Sequence, residues 1–415
     1  AVEKMEGAGM GWIKDALQDF SPEKLQRVVD IVRPNFELIP SANARISCLE
    51  AELKFYTDQQ YRALDFISKN PRVIFSGPAG TGKTLLAIEA AIRRKRSAPD
   101  SRVVWLCFNR NLLEWIRANS PLEELQVEVK SLHAWLLGIS GLQVGDAGVD
   151  SAFWTETLPE AAINQLLNAV SNELGSIDFL VIDEAQDLVS DLNLDFLDLV
   201  LIAGMGGGNW MMFGDFDLQD IYKGSGDTGF VVETLNGRCP PVTRCELTVN
   251  CRNRPRIAYR AQALVDMNPR YTDILRPDDQ LEPDFKIYET FSQQVELLEN
   301  LLGELRKENF RARNIVILSP FKESAAAVLV METPWKQTLT SSLSDAAEKF
   351  RYGTIHAYKG LEAPVIILTD IRRINGREDE KLLYTGLTRS TDRLYVLLST
   401  QARGDFLEIL SRRKL

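Results

Sequence analysis

The sequence contains few cysteines and few histidines for its length. Among 415 residues there are 5 cysteines and 2 histidines, too few cysteines for a disulfide framework in a chain of this size. Cys239, Cys245 and Cys251 follow one another at six-residue intervals, but no further cysteine or histidine lies near enough in the sequence to complete a tetrahedral metal site. We therefore expect a reducing compartment, of which the cytoplasm is the simplest.

Long uncharged runs are also missing. The longest, 199–214, contains Asn209 and a cluster of glycines, which excludes a membrane-spanning helix there. The N-terminal residues lack the basic start and apolar core of a secretory signal. We therefore expect no membrane partner and no secretion.

Basic residues are outnumbered by acidic ones. Lys and Arg number 48 against 58 Asp and Glu, which gives a net charge of −10. A chain of this charge repels nucleic acid as a whole, so a polyanion would bind only at a locally basic surface. The densest basic run, 93–96, is typical of a helix C terminus, where cations complement the helix dipole.

The remaining composition is that of a folded protein with several domains. Hydrophobic residues make up 45% and charged residues 26%, and the length suggests two or three domains. From Val73 onward, short apolar runs alternate with amphipathic stretches, which predicts βαβ units, parallel sheets and the α/β class. A second such series begins near Thr243, after a glycine-rich hinge at 224–241. The predicted parts are a small helical N-terminal segment 1–55, a first domain 56–241 with a short insertion near 134–176, and a second domain 242–415.

One glycine-rich motif, GPAGTGKT at 77–84, follows an apolar strand and opens a helix. This context is typical of a phosphate-binding loop, in which backbone amides and the helix N terminus surround the phosphates. Lys83 would reach the β- and γ-phosphate oxygens, and the Thr84 hydroxyl would face Mg²⁺. We predict a nucleotide site at Gly77, Gly80, Gly82, Lys83 and Thr84.

An acidic pair ends the apolar run 179–182. Because ligands bind at the carboxyl ends of parallel strands, Asp183 and Glu184 are expected to face the same nucleotide. Asp183 would hold Mg²⁺ through water together with Thr84, and Glu184 would orient and deprotonate the attacking water. The predicted cofactors are therefore ATP and Mg²⁺.

Further polar motifs accompany these two along the chain. They are YTDQQ (56–60), CFNR (107–110), SLH (131–133), FGDFDLQ (213–219), LTVNCRN (247–253), TIHAYKGLE (354–362) and YTGLTRS (384–390). In this order they resemble the superfamily one DNA helicases of the UvrD, Rep and PcrA type, over nearly everything from Tyr56 to Val396. The resemblance implies two tandem RecA-like P-loop NTPase domains with ATP bound between them.

The resemblance also implies contacts to the nucleoside and to DNA. Gln60 would read the adenine edge, and Gly360 and Glu362 would lie near the nucleotide sugar. The implied nucleic-acid contacts, which position a strand without reading its bases, are Asn109, His133, Thr354 and His356. For His133, a structural histidine satisfied by local hydrogen bonds is an open alternative.

Three further residues are implied in catalysis. Gln219 would couple the γ-phosphate to DNA, and Arg252 and Arg389 would reach the γ-phosphate from the second domain as arginine fingers. Three positions depart from the family's pattern. Gln219 stands one residue later, Lys223-Gly224 replaces an aromatic residue that stacks on a base, and Cys251 replaces a tyrosine that stacks on adenine.

The function implied is ATP-driven travel on single-stranded DNA, in the 3′ to 5′ direction, with RNA left open as a substrate. The intervals that hold accessory domains in larger members are short here, so the chain looks like a minimal motor. One alternative is a nucleic-acid-gated ATPase switch or translocase that serves a nuclease partner without unwinding, in genome or phage defence. It agrees with a weaker similarity to helicases that carry nuclease-related (NERD) domains. The other is a P-loop phosphotransferase or nucleotide-binding scaffold, which leaves Arg252 and Arg389 without a role.

Overall fold

The computed structural model describes most of the chain after residue 69. The described residues are 60, 64, 70–144, 150–168, 174–216, 234, 235, 237, 238, 242–265, 267, 270–332, 334–342 and 348–412. The chain divides into two compact units, Ala1–Arg45 and Ile46–Leu415, and every described residue belongs to the second. The predicted segment 1–55, Gln219 and most of the hinge lie outside the described residues.

Strands and helices alternate through this part of the chain. The strands are β1 (Arg72–Ser76), β2 (Val103–Cys107), β3 (Glu128–Ser131), β4 (Phe179–Ile182), β5 (Trp210–Gly214), β6 (Thr243–Glu246), β7 (Val249–Asn250), β8 (Asp273–Ile274), β9 (Asp284–Tyr288), β10 (Ile315–Ser319), β11 (Leu339–Thr340), β12 (Phe350–Thr354), β13 (Ala363–Ile371) and β14 (Ser390–Ser399). The α-helices are α1 (Lys83–Ser97), α2 (Arg110–Asn119), α3 (Leu132–Ser140), α4 (Leu158–Asn168), α5 (Asp191–Val200), α6 (Gly204–Gly207), α7 (Pro255–Leu264), α8 (Phe291–Lys307), α9 (Ala325–Leu329), α10 (Trp335–Thr338), α11 (Arg377–Leu387) and α12 (Thr400–Arg412). A π-helical turn, Phe153–Thr157, precedes α4, and 3₁₀ turns lie at Ala185–Asp187 and Ala312–Asn314.

The first sheet has six parallel strands in the order β3-β2-β4-β5-β1-β6. Its central strands are runs of apolar side chains that are buried on both faces, as a parallel sheet covered by helices requires. The predicted α/β class with parallel sheets is confirmed. We call the part of the chain built around this sheet the first lobe.

The second sheet also has six parallel strands, in the order β11-β12-β10-β13-β14-β9. We call the part of the chain built around it, including α7, which packs on α11 and α12, the second lobe. A short parallel pair, β7 and β8, stands apart from both sheets. Side chains of both large sheets, Phe75 and Trp105 from the first and Val316 and Val396 from the second, belong to one continuous hydrophobic cluster.

One strand lies in a different sheet from the one expected. The pattern of the sequence predicts that Thr243–Glu246 belongs to the second domain, but this strand pairs with β1 at the edge of the first sheet. Its side chains alternate between half-buried and exposed, which suits an edge strand, and this pattern alone does not tell which sheet a strand joins. The chain therefore leaves the first sheet only after Glu246.

The first glycine of the phosphate-binding motif is required by close packing. After β6 the chain runs alongside the end of β1, where the Leu247 amide donates a hydrogen bond of 2.8 Å to the Ser76 carbonyl. A Cβ atom on Gly77 would lie 2.2 Å from the Leu247 carbonyl oxygen, which is inside van der Waals contact. Only glycine fits between these two backbone segments.

We expect Gly77→Ala to lower the free energy of unfolding by about 1–3 kcal/mol or more, because backbone must move to admit the methyl group. Gly138→Ala is the matched control. Nothing lies within 4 Å of a Cβ at Gly138, in α3, so alanine should stabilise its helix by about 0.5–1 kcal/mol. Urea denaturation of both variants measures the difference, and equal stability of the two would contradict the packing argument.

Candidate active site

The loop between β1 and α1 surrounds a buried lysine. Gly80 and Gly82 have φ angles of +80° and +84°, a left-handed conformation that favours glycine. Lys83 Nζ donates hydrogen bonds to the carbonyl oxygens of Gly77 and Pro78, at 2.7 and 2.9 Å. Burial lowers the pKa of Lys83, although the nearby carboxylates of Asp215 and Glu184 act in the opposite direction.

Residues that follow β6 in the sequence hold this loop by hydrogen bonds. The Ala79 amide donates to the Tyr384 hydroxyl at 2.9 Å, and the Tyr271 hydroxyl donates to the Ala79 carbonyl at 2.8 Å. The Cys251 amide donates to the Gly80 carbonyl at 2.8 Å. Burial raises the pKa of Tyr271 to about 12, so this hydroxyl keeps its proton at neutral pH.

The two acids after β4 differ in their electrostatic surroundings. Burial and the neighbouring Glu184 raise the pKa of Asp183 to about 7, while the Thr84 hydroxyl acts in the opposite direction. Burial would also raise the pKa of Glu184, but the ammonium groups of Lys359 and Lys83 outweigh it and keep this pKa below its ordinary value. Glu184 is therefore ionised at neutral pH, as a general base must be.

Gln186 fixes the orientation of Glu184. Its Nε2 donates to Glu184 Oε2 at 2.6 Å, and its Oε1 accepts from the Asp215 amide at 3.1 Å. Gln186 is fully buried and so ties the carboxylate to the end of β5. The sequence motif contains this glutamine, but nothing in the motif alone assigned it a role.

A buried ion pair joins the two lobes beside these acids. Lys359, in the loop after β12, donates from Nζ to both carboxylate oxygens of Asp187 at 2.7 and 2.8 Å, and both side chains are only 1% exposed. The Asn109 side chain supports the same loop from the first lobe, because its Nδ2 donates to the Lys359 carbonyl at 3.0 Å. Lys359 thereby brings a positive charge from the second lobe towards Glu184.

Most predicted nucleotide contacts line one pocket, which is open to solvent and has an empty volume of about 710 Å³. The predicted residues in its wall are Gly80, Gly82, Lys83, Thr84, Glu184, Arg252, Gly360, Glu362 and Arg389. Asp183 and Gly77 lie behind this wall, next to Glu184 and Lys83. The phosphate-binding loop, one of the acids and both predicted arginines therefore face a common space.

The two arginines are held in different ways. Arg252 pairs through Nε with Glu362 Oε2, so the carboxylate expected near the nucleotide sugar holds a guanidinium in this structure. Arg389 is 1% exposed and donates to the carbonyls of Thr385 and Leu361. Burial and the nearby Arg252 lower the pKa of Arg389 to about 10, and it still carries its charge at neutral pH.

Gln60 lies against the phosphate-binding loop. Its Nε2 donates to the Thr81 carbonyl at 2.9 Å, and its Oε1 is 3.9 Å from the Cys251 sulfur. A Cβ on Gly82 would come within 2.6 Å of the same Oε1. The structure thus brings together the glutamine and the cysteine that the resemblance associates with adenine.

The donor set at the end of β4 fits Mg²⁺. Asp183 Oδ2 is buried and accepts no hydrogen bond from the described residues, and it stands beside Thr84. Within the described ranges no group of three or more His, Cys, Asp or Glu residues could cage a metal. Mg²⁺ needs no such cage, because it is commonly bound by one or two protein oxygens, water and substrate phosphates.

The predicted nucleic-acid residues lie at strand ends outside this pocket. Asn109 Oδ1 caps α2 and its Nδ2 holds the Lys359 loop, so its amide is engaged in protein contacts. His133 packs between the rings of Phe108 and Trp154, with centroid distances of 4.9 and 4.7 Å. Burial lowers the pKa of His133, so this side chain is neutral at neutral pH.

In the second lobe, Thr354 ends β12 and its Oγ1 accepts from the Ala357 amide at 3.1 Å. His356 follows in the same loop, and burial together with Lys359 lowers its pKa. Gln219 lies outside the described residues, and its predicted role stays a prediction. Of the three spaced cysteines, Cys245 and Cys251 are free thiols, and Cys239 also lies outside the described residues.

The comparisons with known proteins agree with the second half of this site. Residues 349–397 match a family model described as UvrD-like helicase C-terminal domain, and this stretch holds Thr354, His356, Gly360, Glu362 and Arg389. The match supports a helicase-type, nucleotide-hydrolysing role that includes contact with nucleic acid. No curated protein matches the chain. Among the described helices, none has the length and hydropathy of a bilayer span.

The place of some residues in this site could not be predicted from the sequence. Tyr271 belongs to no motif. Lys359 and Asp187 belong to motifs, but nothing in those motifs indicates that the two side chains pair between the lobes. Trp115 was also missed. It lies in α2, is 39% exposed and lines the same pocket as Lys83 and Glu184. A hydrophobic residue at helical spacing predicts a core position. Trp115 reaches the pocket because α2 packs against Gly360, in the loop after β12.

The raised pKa of Asp183 predicts how stability depends on pH in metal-free buffer. This carboxyl shifts from an ordinary 3.8 to about 7 on folding, so the folded protein holds a proton that the unfolded chain has lost between these pH values. The free energy of unfolding should therefore fall as pH rises through this window. Asp183→Asn removes the effect, and its stability relative to wild type should increase from about pH 5 to about pH 8.

Urea denaturation in EDTA across this range measures the difference, with Asp100→Asn as the control because Asp100 is exposed. A difference between wild type and Asp183→Asn that does not change with pH would contradict the assignment.

Proposed function

We propose that this chain is an ATP-driven translocase or helicase that acts on single-stranded nucleic acid, with two RecA-like domains around one ATP site. The observation that carries the proposal is the common pocket. Lys83 and Glu184 line it from the first lobe, and Arg252 and Arg389 line it from the chain beyond the first sheet. DNA as the substrate and 3′ to 5′ travel rest on the family resemblance.

The residues of the pocket suit water-driven hydrolysis of a triphosphate. Mg²⁺ held by Thr84 and Asp183 would neutralise charge on the phosphates. Glu184 is ionised and accepts a proton from the attacking water, and the amide of Gln186 keeps its carboxylate oriented. Arg389 stabilises the charge that develops on the transferred phosphoryl group, with its side chain already ordered by backbone carbonyls.

The contacts between the lobes offer a path from hydrolysis to movement. Asp187, three residues after Glu184, pairs with Lys359, and Lys359 belongs to the loop that begins at Thr354 and His356. A shift of this loop when the γ-phosphate leaves would displace two of the residues proposed to hold the strand. The lobes would then grip the strand at alternate positions, as a hinged enzyme can.

A second candidate is an ATPase switch or translocase that serves a nuclease partner and does not unwind. The size of two intervals favours it. Between β3 and β4 the described residues hold α3, a π-helical turn and α4, and between β10 and β12 they hold α9, α10 and β11. Neither interval is large enough for a separate domain that could split a duplex. Hydrolysis without strand displacement by the isolated chain would support this candidate.

Single-stranded DNA should raise the rate of ATP hydrolysis, and Lys83→Ala and Glu184→Gln should abolish it. Loss of the general base alone accounts for about 10²–10⁴ in rate. Phosphate release, measured with and without an oligonucleotide at stated salt, gives the result. Exposed Lys336 and Glu160 provide the controls Lys336→Ala and Glu160→Gln, which should hydrolyse ATP as wild type does. The same turnover with and without nucleic acid would argue against the proposal.

A further inference from the structure

A buried side chain joins the two arginine-bearing segments that line the candidate active site. Asn253 follows Arg252 directly in the sequence and is fully buried. Its Nδ2 donates hydrogen bonds to the carbonyl oxygens of Thr388, at 3.1 Å, and Ser390, at 2.7 Å. These two residues stand on either side of Arg389. One amide group from the segment of the first arginine therefore holds the backbone on both sides of the second.

The surrounding hydrogen bonds determine the orientation of this amide group. Asn250 Oδ1 accepts from the backbone amides of Arg252 and Asn253, at 3.0 and 2.9 Å. The Nδ2 of the same Asn250 side chain donates to Asn253 Oδ1 at 3.0 Å. Because backbone amides only donate and carbonyls only accept, Asn253 must direct its own NH₂ group to the two carbonyls. An ionised aspartate, which has no donor, could not replace it there.

The same two asparagines pack against the phosphate-binding loop. A Cβ atom on Gly80 would lie 2.9 Å from both Asn250 Nδ2 and Asn253 Oδ1. Between them in the sequence, the Cys251 amide donates to the Gly80 carbonyl at 2.8 Å. Asn253 thus contacts the loop on one side and holds the neighbours of Arg389 on the other.

The two guanidinium groups also need to be held together. Burial and then the nearby Arg252 lower the pKa of Arg389 to about 10, so the two positive charges repel each other. The carbonyls of Thr385 and Leu361 order the Arg389 side chain, but both belong to the second lobe. Asn253 connects the same arginine to the segment of Arg252 and to the phosphate-binding loop.

We infer that Asn253 is a positioning residue that fixes both arginines relative to the phosphate-binding loop. A charge stabilises a transition state best when it is held in place before the reaction, and a displacement of about 1 Å can cost about a hundredfold in rate. The inference rests on the proposed function, to which it adds the side chain that lets Arg252 and Arg389 act on one γ-phosphate together.

The first test compares two substitutions of this residue. Asn253→Ala removes both hydrogen bonds, and Asn253→Asp keeps the shape but loses the donors. In each variant kcat for ATP hydrolysis should fall about 10- to 100-fold, while KM for ATP stays near the wild-type value, because the lost interaction belongs to the transition state. Phosphate release at saturating single-stranded DNA gives both constants.

Asn209→Ala is the matched control. Asn209 also donates from Nδ2 to a backbone carbonyl, that of Asp178, but it precedes β5 at the amino end of the first sheet, away from the pocket. This variant should hydrolyse ATP as wild type does.

A double-mutant cycle separates positioning from a purely structural role. If Asn253 acts through Arg389, Asn253→Ala should lower kcat much less in an Arg389→Ala background than in wild type. Single-turnover hydrolysis of radiolabelled ATP resolves the slow rates, and thermal melting reports the folding of each variant. A variant that melts earlier but keeps the wild-type kcat, or equal losses in the two backgrounds, would overturn the inference.

Asn250→Asp tests the same network with Asn253 intact. An ionised carboxylate at position 250 still accepts from the two backbone amides, but it repels Asn253 Oδ1 and so favours the flipped amide, whose oxygen faces the Ser390 carbonyl. We expect kcat to fall here as well. An unchanged kcat in this variant would contradict the inference even if the Asn253 variants did not fold.

The outcomes distinguish the two proposals. If wild type hydrolyses ATP with single-stranded DNA present and the Asn253 variants do so at the same kcat, the positioning role is wrong and the proposed function stands. If wild type does not hydrolyse ATP, the proposed function itself fails.

Discussion

One buried ion pair constrains how the two lobes pack on each other. Lysine and aspartate side chains are rarely tolerated in a protein interior unless they meet, because desolvation of either charge alone is strongly unfavourable. Lys359 and Asp187 follow strands of different sheets and approach to 2.7 Å, so the loop after β12 lies against the turn after β4. A pair of this kind defines an arrangement more than it adds stability. Here it also keeps a positive charge near Glu184, whose low pKa depends on it.

The conformation of the phosphate-binding loop depends on contacts with segments that are distant in the sequence. Glycines give it the left-handed turns it needs, and the backbone at Leu247 leaves no room for a side chain at Gly77. Two tyrosines that are far apart in sequence bind the two polar groups of one residue, Ala79. The loop and the arginine-bearing segments are thus packed as one body around the pocket.

The parts of this protein that follow local rules can be predicted from its sequence. Apolar runs predict the buried strands, and the spacing of glycines, lysine and threonine predicts a loop that surrounds phosphate. Contacts between groups that are distant in the sequence cannot be predicted in this way. The alternation in Thr243–Glu246 is equally compatible with either sheet. Nothing in the motif around Asn109 predicts that its amide holds the loop after β12, and nothing near Tyr271 predicts a partner in the first lobe. Hydrophobic periodicity identifies which face of an element is buried, and it does not identify what covers that face.

The hydrogen bonds of Lys83 have a consequence for ligand choice. Two of its three ammonium N–H groups donate to loop carbonyls, so a phosphate at the proposed nucleotide site would meet one remaining donor and would compete with the protein's own oxygens for the other two. A nucleoside without phosphates has no negative charge to bind the ammonium group, and a single phosphate has less than a polyphosphate. On the proposed function, a polyphosphate tail would carry enough negative charge to compete with these carbonyls, so Lys83 would favour nucleotides with several phosphates over bare nucleosides.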